Sequence, residues 1–385
     1  MRRGPSLLCG ALSLALSLLY FTGLNAIAAD QKPITLKTMG SLFFGGTVTQ
    51  NEQGVTFHGD HGYAQYYIPQ NSRTLPLVMW HGIGQSGKTF ESTPDGREGY
   101  QAILTRHDWP VYIIDQPRRG RAGRTQAEAA VHLSPTTMLE SQAWDAFRLG
   151  LWLAPNNPTV FPNVQLPMDG YTIDQFFRQQ TPDTGLEPDI GMLAQTMGEL
   201  FKTIGEGILI THSRSGAYGW ATAMAQPDRV KAVVAYEPGG YVFPEGEKQE
   251  DIPRGKLHVG AMNAPAVPLE EFRKLTRMPI LIVFGDNIAT APSNVYNSEV
   301  WRSSSLRGRQ FVEAVNRHGG DARIVFLPDL GLKGNTHIPF ADLNNLAVAD
   351  HLESFLREKG LDGRDAPHQG PQQRSMELTI PLNSN

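Results

Sequence analysis

Residues 207–216 read Gly-Ile-Leu-Ile-Thr-His-Ser-Arg-Ser-Gly. In this stretch an apolar run is followed, without a linker, by a serine and then by a segment that begins with glycine. This pattern predicts a buried strand, a sharp turn and a helix. A serine on such a turn, a nucleophile elbow, stands clear of the sheet and tolerates only small residues two positions away on either side. Thr211 and Ser215 meet this requirement for Ser213, although both replace the usual glycines.

Ser215 is the rival nucleophile in the same stretch, with Ser213 and Ala217 as its small neighbours. If Ser215 were the nucleophile, the polar pair His212-Ser213 would have to lie within a buried strand. If Ser213 is the nucleophile, only one residue separates it from the apolar run. We therefore predict that Ser213 is the nucleophile.

The rest of the chain alternates between two kinds of segment. Apolar runs bounded by turn residues predict strands at 55–69, 75–80, 111–114, 207–211, 230–235, 279–284 and 322–327. Helical spacing predicts helices at 100–106, 137–153, 190–204, 216–225, 299–318 and 340–359. This alternation predicts an α/β fold with a mostly parallel central sheet and helices on both faces.

Two long segments interrupt the alternation, at about 125–205 and 239–277. Ligands of parallel sheets bind at the carboxyl ends of the strands, so we interpret both insertions as lid or pocket-wall segments. The sequence thus predicts one α/β domain over 29–365, followed by a polar tail at 366–385.

The N-terminus has the features of a secretory signal peptide over residues 1–28. Arg2 and Arg3 precede an apolar stretch at 7–24, and Ala26-Ile27-Ala28 has the small-x-small pattern of a cleavage site. We expect an exported protein, periplasmic or extracellular, with no stable membrane anchor after cleavage. An uncleaved anchor is the alternative, because the apolar stretch is just long enough to span a bilayer. Cys9, the only cysteine, lies in the segment that would be removed.

Composition excludes several classes of partner. The formal net charge of −4 argues against a nucleic-acid partner. No metal-binding motif is present, and the predicted chemistry needs neither a metal nor a cofactor. The oligomeric state stays open, with a homodimer among the options.

A serine nucleophile needs a base and a group that orients the base. His337 lies in the loop Gly334-Asn335-Thr336-His337 between the last predicted strand and the final helix, where a base is expected. Two carboxylates compete for the third role, because Glu237 ends the first strand after the elbow and Asp286 ends the next. Spacing alone does not decide between them.

The developing oxyanion needs two backbone donors, one after the nucleophile and one from the loop after an earlier strand. The strand at 75–80 ends in His81-Gly82-Ile83-Gly84, a turn of the required kind. We predict the amides of Ile83 and Arg214 as the donor pair.

These stretches together resemble the secreted bacterial carboxylesterases of the α/β-hydrolase fold whose oxyanion loop, in the best-known member, contains two adjacent disulfide-bonded cysteines. The matching stretches are His81-Gly82, Thr93-Pro94-Asp95-Gly96-Arg97, Ile114-Asp115-Gln116 with Arg119-Gly120-Arg121, His212-Ser213-Arg214-Ser215-Gly216, Glu237-Pro238-Gly239, Phe284-Gly285-Asp286, and Asn335-Thr336-His337 with Asn344-Asn345. The resemblance implies Ser213 as nucleophile, His337 as base and Glu237, rather than Asp286, as acid. This chain departs from the pattern at Ile83-Gly84, which replaces the cysteine pair.

We therefore expect a secreted serine hydrolase that cleaves a carboxylic ester through an acyl-enzyme intermediate. Aromatic residues in and around the insertions suggest an apolar or aromatic small-molecule ester; they are Trp144, Trp152, Phe161, Phe176, Tyr236 and Tyr241. A lactonase or amidase with the same triad is one alternative. A non-catalytic ligand-binding protein on a hydrolase scaffold is another, since fold does not imply function.

Overall fold

Eight strands form the central sheet of the computed structural model, which describes residues 33–123, 135, 137–185 and 189–371. They are β1 (Leu36–Gln50), β2 (Thr56–Pro69), β3 (Leu77–Trp80), β4 (Val111–Asp115), β5 (Gly207–His212), β6 (Val230–Tyr236), β7 (Pro279–Phe284) and β8 (Asp321–Phe326). Their order across the sheet is β1-β2-β4-β3-β5-β6-β7-β8. The hairpin β1-β2 and the pair β2-β4 are antiparallel, and all other neighbours are parallel.

The main helices cover both faces of this sheet. They are α1 (Tyr100–Arg106), α2 (Glu140–Ala146), α3 (Gly170–Arg178), α4 (Ile190–Ile204), α5 (Ser215–Ala225), α6 (Leu269–Arg273), α7 (Tyr296–Arg317) and α8 (Asn345–Glu358). One apolar cluster joins α4, α5 and α7 to the sheet, and a second joins α1, α2 and α8 to the opposite face. The predicted α/β architecture with a mostly parallel sheet agrees with this arrangement.

The central strands are buried on both faces. In β5, Leu209 belongs to the first cluster, whereas Ile208 and Ile210 belong to the second, because successive side chains point to opposite sides of a strand. Burying one side chain of this size contributes about 1.5–3 kcal/mol. This core fixes the carboxyl end of β5, where the predicted nucleophile lies.

Three of these elements, β1, α3 and α6, are not among the predictions from sequence. Strand β1 contains Gly40, Gly45 and Gly46, which interrupt the alternation of apolar and polar residues. At Gly40 the missing side chain leaves room for the Tyr66 ring, since a Cβ there would lie 2.6 Å from the phenol oxygen. The glycines thus allow the β1-β2 hairpin to pack closely. A search for alternating apolar and polar residues does not predict such a hairpin.

The region of the first predicted insertion also differs in detail. The helix predicted at 137–153 ends at Ala146, because Arg148 adopts a left-handed backbone with φ of 55°. Helix α4, expected to lie within the insertion at 125–205, instead packs against the sheet through Leu193, Met197 and Phe201. Its start is fixed by Asp189, whose side chain accepts hydrogen bonds from the amides of residues 191 and 192.

The described residues from 36 onwards belong to one compact unit. The predicted signal peptide lies outside the described residues, and so does the predicted tail beyond residue 371. Within the described start of that tail, His368 is buried and its Nε2 lies 2.8 Å from the hydroxyl of Tyr112. No helix among the described residues is long and apolar enough to cross a membrane.

Candidate active site

Ser213 occupies a strained turn between β5 and α5. Its φ of 55° is rare for a residue with a side chain and costs about 1–3 kcal/mol. The surroundings hold this conformation, because the Ser213 amide donates to the Tyr236 carbonyl and the Ser213 carbonyl accepts from the Gly239 amide, each at 2.9 Å. Close packing explains Gly216, where a Cβ would lie 2.4 Å from that of Pro238. The geometry is that expected of a nucleophile elbow.

Ser215, the rival nucleophile, is completely buried. Its hydroxyl oxygen lies 2.9 Å from the carbonyl oxygen of Trp80 and accepts a hydrogen bond from the His212 amide, also at 2.9 Å. These contacts join the start of α5 to the ends of β3 and β5. The Ser215 hydroxyl thus already forms hydrogen bonds with backbone groups.

Glu237 and His337 form a buried acid–base pair. Oε2 of Glu237 accepts a hydrogen bond from Nδ1 of His337, and the two residues are 0% and 2% exposed. Because a carboxylate can only accept, the ring proton belongs on Nδ1 and the lone pair of a neutral ring on Nε2. The other carboxylate oxygen, Oε1, accepts from the Gly285 amide at 2.6 Å.

Arg148 is a third charged member of this cluster. Its Nη1 donates to Oε2 of Glu237 at 2.6 Å and its Nη2 donates to Oε1, while its Nε donates to the Asp286 carbonyl at 2.8 Å. Burial alone would raise the pKa of Glu237, but Arg148 and His337 together lower it to about 2. Glu237 is therefore ionised at neutral pH.

Asp286 has a different set of partners. Its Oδ2 accepts from the Gly334 amide and its Oδ1 from the Asn287 amide, both at 2.7 Å. The carboxylate thus connects the end of β7 to the loop that contains His337. Its contacts are with backbone amides, and the imidazole bonds Glu237 instead.

The imidazole of His337 is enclosed by aromatic rings. The Trp301 ring lies 3.9 Å away between centroids, the His212 ring 4.5 Å and the Phe147 ring 5.4 Å. Nε2 of His212, the residue before Ser213, donates to the His337 carbonyl at 2.7 Å. Elbow and histidine loop are therefore in direct contact.

Burial lowers the pKa of His337, Glu237 opposes that shift, and Arg148 lowers the pKa further. The net direction is below the ordinary value for histidine. The ring is thus neutral near pH 7, the form in which Nε2 can accept a proton.

The predicted oxyanion turn lies directly against the elbow. A Cβ on Gly82 would be 2.8 Å from the Cβ of Ser213, so only glycine allows this approach. Gln85 links the turn to the elbow, because its Oε1 accepts from the Gly82 amide at 3.3 Å and lies 2.9 Å from Nδ1 of His212. Among the described residues, the Ile83 amide has no hydrogen-bond acceptor.

A cavity of about 790 Å³ opens beside this turn. Its lining residues are Ile83, Gly84, Thr137, Met138, Ser141, Gln142, Asp145, Ala146, Trp152, Ala154, Pro155, Thr181, Asp183, Tyr296 and Asn297. Ser213 and His337 are not part of the wall, but Ile83 of the predicted oxyanion turn and Ala146, next to Phe147, both are. Of the aromatic residues expected to line a pocket, Trp152 does so, whereas Trp144 and Phe176 are buried in the core.

Sequence reasoning missed Arg148 and Trp301. One signal for Arg148 was available, because a cation inside the largely apolar run 144–153 suggests a buried ion pair. Trp301 had no comparable signal, since a tryptophan on an amphipathic helix is ordinarily core. Among the described residues, no group of three or more metal-ligating side chains is close enough to hold a metal ion.

The strand order, with a serine after β5 and Glu237 and His337 in later loops, is that of the α/β-hydrolase class. No family model matches the chain. A curated relative from a fungal species (strain ATCC 74256), named "Probable secreted lipase phiG", is 25% identical over 329 residues, which cover 77% of this chain and 86% of the relative. A solved structure described as a novel bacterial esterase is 29% identical, covers 85% of this chain and 97% of its own, and superposes with a TM-score of 0.69.

These comparisons confirm the predictions of an α/β-hydrolase fold and of a carboxylesterase-type hydrolase. They do not address individual residues. The assignment of roles to Ser213, His337, Glu237, Ile83 and Arg214 stays a prediction.

Proposed function

We propose that this protein hydrolyses a carboxylic ester through a Ser213-His337-Glu237 triad and an acyl-enzyme intermediate. The observation that carries the proposal is the buried hydrogen bond between Glu237 and His337 next to a serine with a left-handed backbone. It supports the proposal because activation of a serine hydroxyl needs a base that is itself oriented by an acid.

In the acylation step, the Oγ of Ser213 attacks the ester carbon while Nε2 of His337 takes the hydroxyl proton. The tetrahedral intermediate collapses when the carbon–oxygen bond to the alcohol breaks, and His337 returns the proton to the leaving oxygen. In the second half, His337 takes a proton from water as the water attacks the acyl carbon. The bond from that carbon to the Oγ of Ser213 then breaks, His337 returns the proton to Oγ, and the carboxylic acid leaves. Glu237 holds Nδ1 and stabilises the imidazolium that forms twice in the cycle.

The amides of Ile83 and Arg214 are proposed to bind the negative oxygen of each tetrahedral intermediate. Arg214 directly precedes helix α5, where backbone N–H groups point outward and the helix dipole favours negative charge. Loss of one oxyanion donor costs about 2.7–4 kcal/mol in comparable enzymes. The Ile83 amide needs no particular side chain, which is why replacing a cysteine pair here is compatible with the role.

The substrate is proposed to be a small-molecule ester with an apolar or aromatic part. The cavity beside Ile83 falls within the usual size of small-ligand sites and has Met138, Trp152 and Tyr296 in its wall. Both relatives support ester hydrolysis through their names, a lipase and an esterase. The name of the curated relative also supports export, with residues 1–28 as the signal and 29–365 as the catalytic domain.

Labelling with a serine-directed fluorophosphonate tests the proposal. The folded protein should form one adduct, on Ser213, and Ser213→Ala should abolish both the adduct and ester hydrolysis. Ser215→Ala, the matched control, should keep the label while losing about 1–3 kcal/mol of stability from its buried hydrogen bonds. Absence of an adduct would favour a non-catalytic binding protein, and preferred turnover of lactones or amides in parallel assays would favour those alternatives.

A further inference from the structure

The loop 93–97, one of the stretches that resemble the esterase family, contacts the chain just after His337. Arg97 uses its Nη1 to donate to the carbonyl of Asp342 at 3.1 Å and to Oδ1 of Asn345 at 3.2 Å. Its Nη2 donates to the carbonyl of Ala341 at 3.2 Å. One guanidinium thus holds the segment that connects His337 to helix α8.

The loop itself fixes the orientation of this guanidinium. Oδ2 of Asp95 accepts from Nε of Arg97 at 2.5 Å, and Oδ1 accepts from the Thr93 hydroxyl at 2.6 Å. Gly96 has a φ of 85°, and the Thr93 amide donates to the Arg97 carbonyl at 3.0 Å. The Thr-Pro-Asp-Gly-Arg motif is therefore a closed turn that presents an arginine in one direction.

Asp342 continues the connection back to His337. Its Oδ2 accepts from the Thr336 amide at 2.7 Å and from Nδ2 of Asn335 at 3.0 Å, and its Oδ1 accepts from the Thr336 hydroxyl at 2.8 Å. Asp342, Thr336 and Asn335 are all completely buried. The two residues preceding His337 are thus bound by one carboxylate.

We propose that Arg97 and Asp342 are positioning residues for His337, with Arg97 holding the segment after it and Asp342 the two residues before it. The inference rests on the proposed role of His337 as the base. No strand or helix contains His337, so individual contacts hold its loop. The His337 amide donates to the Phe147 carbonyl at 3.0 Å, and the contacts of Arg97 and Asp342 hold the residues on either side. A misplacement of about 1 Å at a catalytic group can lower the rate about 100-fold.

The first test compares Arg97→Gln and Arg97→Lys with the wild type in ester hydrolysis, with active sites counted by fluorophosphonate titration. Arg97→Gln should lower kcat 10- to 100-fold and leave KM within about twofold, because the cavity wall is untouched. Arg97→Lys keeps one charged donor and should recover part of the loss. The matched control is Arg73→Gln, since Arg73 also donates to two carbonyls, those of His107 and Asp362, but before the amino end of β3.

The second test is Asp342→Asn, with Glu353→Gln as its control. Glu353 is another buried carboxylate that accepts from two side chains, at a distance from the histidine loop. Asp342→Asn should lower kcat of the titrated sites at unchanged KM, whereas Glu353→Gln should affect stability alone.

Unchanged kcat per titrated site in Arg97→Gln and Asp342→Asn would overturn the inference, as would an equal loss in the two controls. If Arg97→Gln does not fold, a kcat in Arg97→Lys equal to that of the wild type would overturn it as well. A wild-type protein that takes no label would instead overturn the proposed function itself, so the two failures are distinguishable.

Discussion

Replacing Arg148 by methionine should change the pH dependence of catalysis as well as stability. Arg148 and His337 donate to the same oxygen of Glu237, so their charges face each other across one carboxylate. The guanidinium therefore disfavours the imidazolium form of His337. Methionine removes that charge and preserves much of the apolar stem.

The structure sets the size of the effect. Two donors on one oxygen lie within about 6 Å of each other, given ordinary hydrogen-bond lengths. At an effective dielectric constant of about 20, unit charges at that distance interact by about 2.8 kcal/mol. Relaxation and water entry reduce this value, and the direction of the effect is a rise in the pKa of His337 when the charge of Arg148 is removed.

The assay is the pH profile of kcat/KM, whose acid limb reports the pKa of the essential base in the free enzyme. His337 must be neutral to accept the serine proton. A raised pKa therefore moves the acid limb of Arg148→Met to higher pH, with activity lost first at low pH. Arg148→Lys retains the charge and should keep the acid limb near that of the wild type.

Stability provides the second readout, because removing one partner of a buried ion pair costs about 3–5 kcal/mol. Arg302→Met is the matched control, since Arg302 and Glu299 form another buried pair with side chains 4% and 0% exposed. It should lose stability without a shift of the acid limb. A folded, labelled Arg148→Met with an unmoved acid limb would refute the electrostatic reasoning.

Two further predictions concern the acid and the oxyanion turn. Glu237→Ala should lower kcat by several orders of magnitude. Asp286→Ala should mainly destabilise the loop that contains His337, because the hydrogen bond from the Gly334 amide is lost. A loss of activity confined to Asp286→Ala would reverse the assignment of the acid. Ile83→Pro removes a backbone donor and should lower kcat by about 100- to 1,000-fold, whereas Ile83→Ala keeps the amide and should stay close to the wild type. Equal activity of the two Ile83 variants, measured at saturating ester, would argue against this amide as a donor.

The sequence predicted the central strands because their side chains are buried on both faces and leave uninterrupted apolar runs. The same reasoning did not predict β1, because glycines interrupt its alternation of apolar and polar residues. Pairing with the neighbouring strand β2 holds β1 in place. The reasoning also failed at Arg148, because a left-handed backbone at that position ends helix α2 early. Long-range pairing and local strain have no periodic signature in a single sequence.

The candidate site was predictable at the level of residue type and chain order, and less so at the level of contacts. The elbow, the histidine loop and the two carboxylates all follow strand ends, which a sequence pattern can mark. The choice between Glu237 and Asp286 depended on a family resemblance, because both end neighbouring strands. In the structure the two carboxylates differ in their hydrogen-bond donors. Glu237 accepts from the imidazole of His337, whereas Asp286 accepts from backbone amides.

The distribution of strain supports the location of the site. Among the described residues, Ser213, Glu237 and Arg148 are three of eight non-glycine residues with positive φ, at 55°, 48° and 55°. Each such conformation costs about 1–3 kcal/mol and persists only where contacts hold it. The ion pair holds Arg148 and Glu237, and the backbone bonds to Tyr236 and Gly239 hold Ser213. A chain optimised for stability alone would place glycine at such positions. Charged and nucleophilic side chains occupy these positions instead. We infer that the strained backbone serves to orient these side chains.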